Sequence, residues 1–144
     1  MKRILGDDWA LPALDDLNRA FFTAGMLMLQ QCKTCAHIQH PPEDVCEACQ
    51  GFELGQFQSA GRGRVESVAV VHHPVHPALA DQVPYAIVLV SVADAPGVLV
   101  AGNVAGTEPD AVRIGDEVRV VFETVTDPGS GEALAIPQWE IVPG

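Results

Sequence analysis

The sequence predicts a mainly β chain in three parts: an N-terminal helical segment (residues 1–27), a small four-cysteine ribbon (28–57) and a five-stranded barrel (58–144). Three observations carry this. All four cysteines fall in two C-x2-C pairs, Cys32/Cys35 and Cys46/Cys49, separated by ten residues. An apolar stripe at steps of three and four precedes them. After Gly61 the chain turns Val-rich, in short runs punctuated by Gly, Pro and Asp.

Pro12 suits the first turn of a helix. Leu14, Leu17, Phe21, Ala24 and Met28 then mark one helical face, with Asp15 and Asp16 where the helix dipole favours acids. Phe22, Met26 and Leu27 lie partly off that stripe, which suits contact with a partner. Residues 1–10 read as a loose lead-in, apart from Trp9, an aromatic expected to dock on the body.

The cysteine spacing is the most specific signal. A tight turn carries two thiolates on one face, and two such knuckles opposed supply the four sulfurs of a tetrahedron. Four thiolates leave no open position, so the site reads as structural zinc, one ion per chain, held by Cys32, Cys35, Cys46 and Cys49. Iron in a rubredoxin-like cage is the alternative; the short gap between the pairs favours zinc. His37 and His40 lie nearby but four cysteines need no further ligand. Leu27–Gln31 reads as a strand leading into the first knuckle, and the ten residues between the pairs hold a small hairpin and little else. A ribbon with so little core takes most of its folding free energy from the metal. Phe52, Leu54 and Phe57 are expected to dock it onto the barrel.

The barrel strands follow in order. Gly61-Arg62-Gly63 reads as a flexible start, and residues 64–73 as a long strand ended by His72-His73-Pro74-Val75-His76-Pro77. The run Tyr85–Val90 reads as a strand buried on both sides. Asp94–Gly97 turns the chain into a returning strand at 98–104, and residues 108–112 suit one helical turn. Gly115-Asp116 turns into 117–123, with Val118, Val120 and Phe122 inward. Residues 127–131 form a tip, and 133–142 the last strand, bearing Trp139. Five strands with a short helical element between the third and fourth is the order of an OB-fold barrel.

Composition excludes several functions. The 144 residues carry a formal charge of −11, which repels phosphate backbones; eight Lys plus Arg and 6% aromatic residues supply neither the charge nor the stacking groups of a nucleic-acid groove. No run of 18 apolar residues is present, so no membrane span is expected. The first eight residues turn acidic too early for a signal peptide, which implies the cytoplasm, where thiols stay reduced and favour metal. There is no G-x-S-x-G, no G-x-x-x-x-G-K and no H-E-x-x-H. His72, His73 and His76 cluster without a carboxylate in their motif, so no catalytic residue is assigned.

Taken together, Leu29-Gln30-Gln31-Cys32-x2-Cys35, Pro41-Pro42, Cys46-x2-Cys49, Ser59-Ala60-Gly61-Arg62-Gly63-Arg64-Val65, Pro84-Tyr85 and Val112-Arg113-Ile114-Gly115-Asp116-x-Val118 followed by Phe122-Glu123 resemble the DUF35 family. The resemblance spans roughly residues 9–142. It implies a rubredoxin-like zinc ribbon followed by an OB-fold, acyl-CoA-associated, acting as a partner subunit of thiolase-fold enzymes such as steroid side-chain aldolases. The implied role is a non-catalytic accessory subunit that binds and stabilises a sterol-carrier-type thiolase-fold partner in an acyl-CoA lyase complex cleaving a steroid side chain by a retro-aldol reaction. A small subunit of a thiolase-like acyltransferase complex and a stand-alone acyl-CoA binding module are the alternatives. The resemblance further implies a heterotetramer, with acyl-CoA at or near the shared interface. Two positions depart from the family pattern: Glu43-Asp44 follow Pro41-Pro42 where a basic residue is usual, and Ala36 stands where Gly is usual. Arg62 and Arg64, with Lys33 behind them, are then the basic candidates for contact with CoA phosphates.

Overall fold

A computed structural model describes residues 3–144; Met1 and Lys2, at the start of the expected lead-in, lie outside the described residues. A short helix α1 (Arg19–Thr23) leads into a three-stranded ribbon sheet of β1 (Met28–Cys32), β2 (Ile38–Gln39) and β3 (Leu54–Gln58), in the order β2-β1-β3. Then come β4 (Arg62–Val71), β5 (Tyr85–Val92), β6 (Leu99–Ala105), β7 (Glu117–Thr126) and β8 (Ala133–Ile141), closed into a barrel in the order β4-β5-β6-β8-β7. All the barrel pairings are antiparallel except β6 with β8. That is the five-stranded OB-fold read from the sequence. The expected helical element between the third and fourth barrel strands is one 3-10 turn, Pro109–Ala111.

The helix is much shorter than its apolar stripe suggests. Asp15 and Asn18 exchange side-chain and backbone hydrogen bonds, both 2.8 Å, in a capping-box arrangement that delays the start well past Pro12. Gly25, at φ +70°, turns the chain out of the helix, and Met28, the last member of the stripe, already lies in β1. The lead-in is tied down rather than loose. Arg3 donates to the carbonyls of Asp7 and Trp9, the Ile4 N–H donates to Glu123 (2.8 Å), and Trp9 meets His76 edge-on at 5.5 Å.

The core runs through the barrel and into the ribbon. Val65, Val88, Val90, Val100, Val118 and Trp139 fill the interior, and Leu27 and Leu29 join the same cluster. Gly102 makes room for the indole: a Cβ there would stand 2.9 Å from Trp139 Cδ1. Leu29 and its cross-strand neighbour Phe57, with Ile38, dock the ribbon on the barrel. Phe52, expected in that role, is 79% exposed, because it precedes β3 on the solvent side of the second knuckle.

Two other expectations give way. Gly61-Arg62-Gly63 is a tightly packed crossing, not a flexible one: a Cβ on Gly63 would lie 2.3 Å from the Ser91 carbonyl oxygen. Asp94 grips the same linker by accepting from the Ser59 hydroxyl (2.6 Å) and the Ala60 N–H (2.8 Å). And β5 is buried on one face only. Ala86, Val88, Val90 and Val92 point inward, while Ile87 and Leu89 stand outside.

Candidate metal centre and flanking surfaces

The four cysteine sulfurs converge. All lie within 4.8 Å of one another, with Cys32 Sγ to Cys49 Sγ at 3.7 Å and Cys35 Sγ to Cys46 Sγ at 3.6 Å. A zinc ion with bonds of about 2.3 Å to four sulfurs requires edges of about 3.8 Å. The donor set and its spacing therefore fit one tetrahedral ion.

Each knuckle is built the same way. The Ala36 N–H donates to the Cys32 carbonyl and the Gln50 N–H to the Cys46 carbonyl, both 2.9 Å. The residue after each second cysteine is left-handed: Ala36 at φ +65° and Gln50 at φ +60°. That is why Gly is usual at the Ala36 position, and Ala36 holds it at a strain of about 1–2 kcal/mol. The backbone N–H groups of Cys35 and Thr34 point at Cys32 and hold its thiol down to about 6. For Cys49 the Gly51 N–H pulls downward, but the sulfurs of Cys35 and Cys32 outweigh it and push the thiol up to about 12. Crowded sulfurs resist full ionisation together, and a dication is what relieves them.

The loop between the knuckles is held by two residues the sequence reading passed over. Gln30 and Gln39, opposite each other on β1 and β2, are buried. Gln39 Nε2 donates to Gln30 Oε1 (2.8 Å) and to the Val45 carbonyl (3.1 Å), while its Oε1 accepts from the Glu47 N–H (2.9 Å). Gln30 exchanges bonds of 2.9 and 2.8 Å with the backbone of Glu43. Together they replace the core this loop lacks. Gln30 stands in the Leu29-Gln30-Gln31-Cys32 stretch, but its pairing with Gln39 is set only by the β1–β2 register and is not written in any sequence motif.

A second buried polar chain lies on the barrel. Glu123, expected outward on β7, is buried: it accepts from Gln138 Nε2 (2.7 Å) and the Ile4 N–H, and Gln138 Oε1 accepts from the Asn103 N–H (2.6 Å). The histidines stay apart from any such cluster. His37 pairs with Glu47 at 2.7 Å, His72 sits 3.8 Å from Asp110, and His40 stacks on Phe21 with its pKa lowered by burial.

The three basic candidates separate. Arg62 and Arg64 stand exposed on β4, beside an open groove of about 520 Å³ shared with Ser91 and Glu117; Arg64 is already paired with Glu117 at 3.0 Å. Lys33 lies on the ribbon, its side chain across Gly55, and does not line that groove. No helix among the described residues is long and apolar enough to cross a membrane.

Comparison with known proteins gives two domain matches: the rubredoxin-like zinc ribbon domain of ChsH2 over residues 24–55, and the ChsH2 C-terminal OB-fold domain over residues 57–123. The solved Ltp2-ChsH2(DUF35) aldolase superposes with a TM-score of 0.72 at 32% identity, over 91% of this chain and 98% of that one. The chain belongs to the DUF35 family. Its ribbon is a zinc ribbon able to bind one ion. A "DUF35 domain-containing scaffold protein" of Methanothermobacter thermautotrophicus is 29% identical over 106 residues, 73% of this chain and 77% of the relative. A "probable enoyl-CoA hydratase alpha subunit" of Thermomonospora curvata is 36% identical over 107 residues, 72% of this chain. The chain spans about a third (32%) of the length of that relative. A DUF35 structure from Sulfolobus solfataricus, 15% identical over 83% of this chain and 78% of that one with a TM-score of 0.53, shares the fold.

Proposed function

We propose that this DUF35 chain is a non-catalytic accessory subunit that docks on and stabilises a thiolase-fold enzyme of the sterol-carrier type, in an acyl-CoA lyase complex that cleaves a steroid side chain by a retro-aldol reaction. The observation that carries the reading is one face of the barrel. The ladder sets Ala69 beside Ile87, Ser67 beside Leu89, Ala101 beside Leu89 and Leu99 beside Ser91. None of these residues is charged, yet the chain as a whole carries −11. Ile87, Leu89 and Leu99 are 41%, 38% and 43% exposed. Three exposed large apolar side chains among small and neutral neighbours, bounded by Asn103 and Arg64, on so acidic a protein suit burial against another chain. The closed metal site and the scattered histidines leave the chemistry to the partner. The name of the superposed aldolase, a DUF35 chain with Ltp2, supports a lyase over an acyltransferase.

Within this reading the complex is a heterotetramer, and acyl-CoA lies near the shared interface. Arg62 and Arg64 are the groups that meet its phosphates, with Lys33 a more distant candidate. Co-expression with the thiolase-fold enzyme should give one species in size-exclusion chromatography, and Leu89→Asp should dissociate it while leaving zinc content unchanged. Separate elution of the wild-type chains, with the enzyme fully active alone, refutes the proposal. Arg62→Glu should raise KM for the CoA ester with the complex intact; an unchanged KM removes the phosphate assignment.

A further inference from the structure

The ribbon sheet ends in an open edge. In the β1–β3 pairing the bonded pairs are Leu27 with Ser59, Leu29 with Phe57, Gln31 with Gly55 and Lys33 with Glu53, as the Ser59 N–H to Leu27 and Lys33 N–H to Glu53 bonds show. The alternate residues Leu54, Gln56 and Gln58 therefore turn their N–H and C=O groups away from β1. On β1 the corresponding groups are used by β2, as the Cys32 N–H bond to His37 shows (2.9 Å). Beyond β3 no further strand lies in this sheet, and none of the hydrogen bonds among the described residues reaches that outer edge.

Exposed edges in monomeric proteins are normally blocked by a charge, a proline or a bulge. Leu54-Gly55-Gln56-Phe57-Gln58 has none of these, and its pairing with β1 is regular throughout. Beside it, Phe52 is 79% exposed. A shallow cleft of about 260 Å³ over the adjoining sheet face is shared by Phe52, Leu54 and Gln56 of the edge with Gln30 on β1 and with Asp16, Glu43 and Asp44, within reach of a long side chain from a strand added at β3. None of those three carboxylates has a basic partner within salt-bridge distance among the described residues.

We infer that β3 is a strand-addition site: an extended, basic segment of the partner enzyme pairs with Leu54, Gln56 and Gln58, sets a Lys or Arg among Asp16, Glu43 and Asp44, and covers Phe52. Backbone pairing supplies the register, and the acidic cleft selects the sign of the side chain. A second copy of this chain is disfavoured as occupant, because it would bring the same carboxylates against themselves on chains of −11 each. The inference rests on the proposed enzyme complex and adds a second contact to it, on the ribbon rather than the barrel.

Hydrogen exchange on the zinc-loaded full chain, alone and saturated with the thiolase-fold enzyme, tests it. The amides of Gln56 and Gln58 should slow at least tenfold in the complex; unchanged exchange there, in a complex that forms, overturns the inference and leaves the accessory role standing. Gln56→Pro removes an N–H that points away from β1, so it should keep zinc and weaken the complex at least tenfold. If that variant loses zinc, Glu43→Lys with Asp44→Lys, both exposed, should produce the same weakening, and wild-type affinity in the charge-reversed chain overturns the inference. Concentration-dependent protection of Gln56 in the chain alone, with a dimer mass, also overturns it in favour of self-pairing. Failure of the wild-type chains to associate at all refutes the accessory reading itself.

Discussion

Replacing Gln39 with Ala should weaken zinc binding although Gln39 touches no sulfur. Its amide serves the Val45 carbonyl, the Glu47 N–H and Gln30 at 3.1, 2.9 and 2.8 Å. Truncation orphans two backbone groups of the loop that delivers Cys46, at a net cost of about 1 kcal/mol each, or about 2 kcal/mol in all. Metal binding supplies much of the folding free energy of a ribbon with so small a core of its own, so the loss appears largely in the metal equilibrium. At 1.4 kcal/mol per factor of ten, ~2 kcal/mol is a zinc affinity lowered about thirtyfold. Competition against a chromogenic chelator measures this directly. Gln50→Ala is the control, since the Gln50 side chain makes one long, exposed bond of 3.4 Å. Affinity of Gln39→Ala within twofold of wild type refutes the coupling between the glutamine pair and the metal cage.

Four further outcomes are expected. Ala36→Gly relieves the strain at φ +65° and, after the entropic cost of Gly, should tighten zinc about threefold to fivefold or raise the ribbon's melting temperature by a few degrees; a weaker site contradicts the strain argument. Gly63→Ala drives a Cβ to 2.3 Å from the Ser91 oxygen and 2.5 Å from Val90 Cγ1, and should destabilise the barrel by about 3 kcal/mol in urea denaturation. Burial lowers the His40 pKa below its ordinary 6.5, so the unfolded chain binds the proton more readily and stability falls as pH drops through 6.5. His40→Gln should flatten that slope when both proteins are denatured in excess zinc; a slope equal to wild type assigns the effect elsewhere. Cys46→Ser should release the single zinc ion, read by elemental measurement, and abolish association with the enzyme; a variant retaining both refutes a four-thiolate structural site.

How much of this was legible in the sequence depended on range. The four-cysteine cluster was, because C-x2-C encodes a local turn. The barrel strands were, because alternation is local too. The helix was over-read: Leu14 to Met28 keep helical spacing, but Asp15/Asn18 and Gly25 set the actual limits, and Met28 is used by a strand. Tyr85–Val90 looked like a doubly buried strand because an outward apolar face and an inward one spell the same letters; only the barrel's curvature tells Ile87 and Leu89 from Val88 and Val90. Its place in the alternation puts Glu123 outward, yet its partners are Gln138 and, 119 residues away, the Ile4 N–H. Long-range satisfaction of a buried carboxylate leaves no periodic trace.

Strand order also sets a timetable. The zinc ribbon is complete at Gln58, but the barrel cannot close until β8, which bridges β6 and β7, ends at Ile141. The intervening 83 residues occupy a ribosome for roughly 4–17 s at typical elongation rates. Through that interval Leu29 and Phe57 have no barrel to rest on, and the ribbon has only its metal site, its ladders and the Gln30–Gln39 pair to hold it. Zinc bound early in that interval would stabilise the ribbon before the barrel exists to receive it.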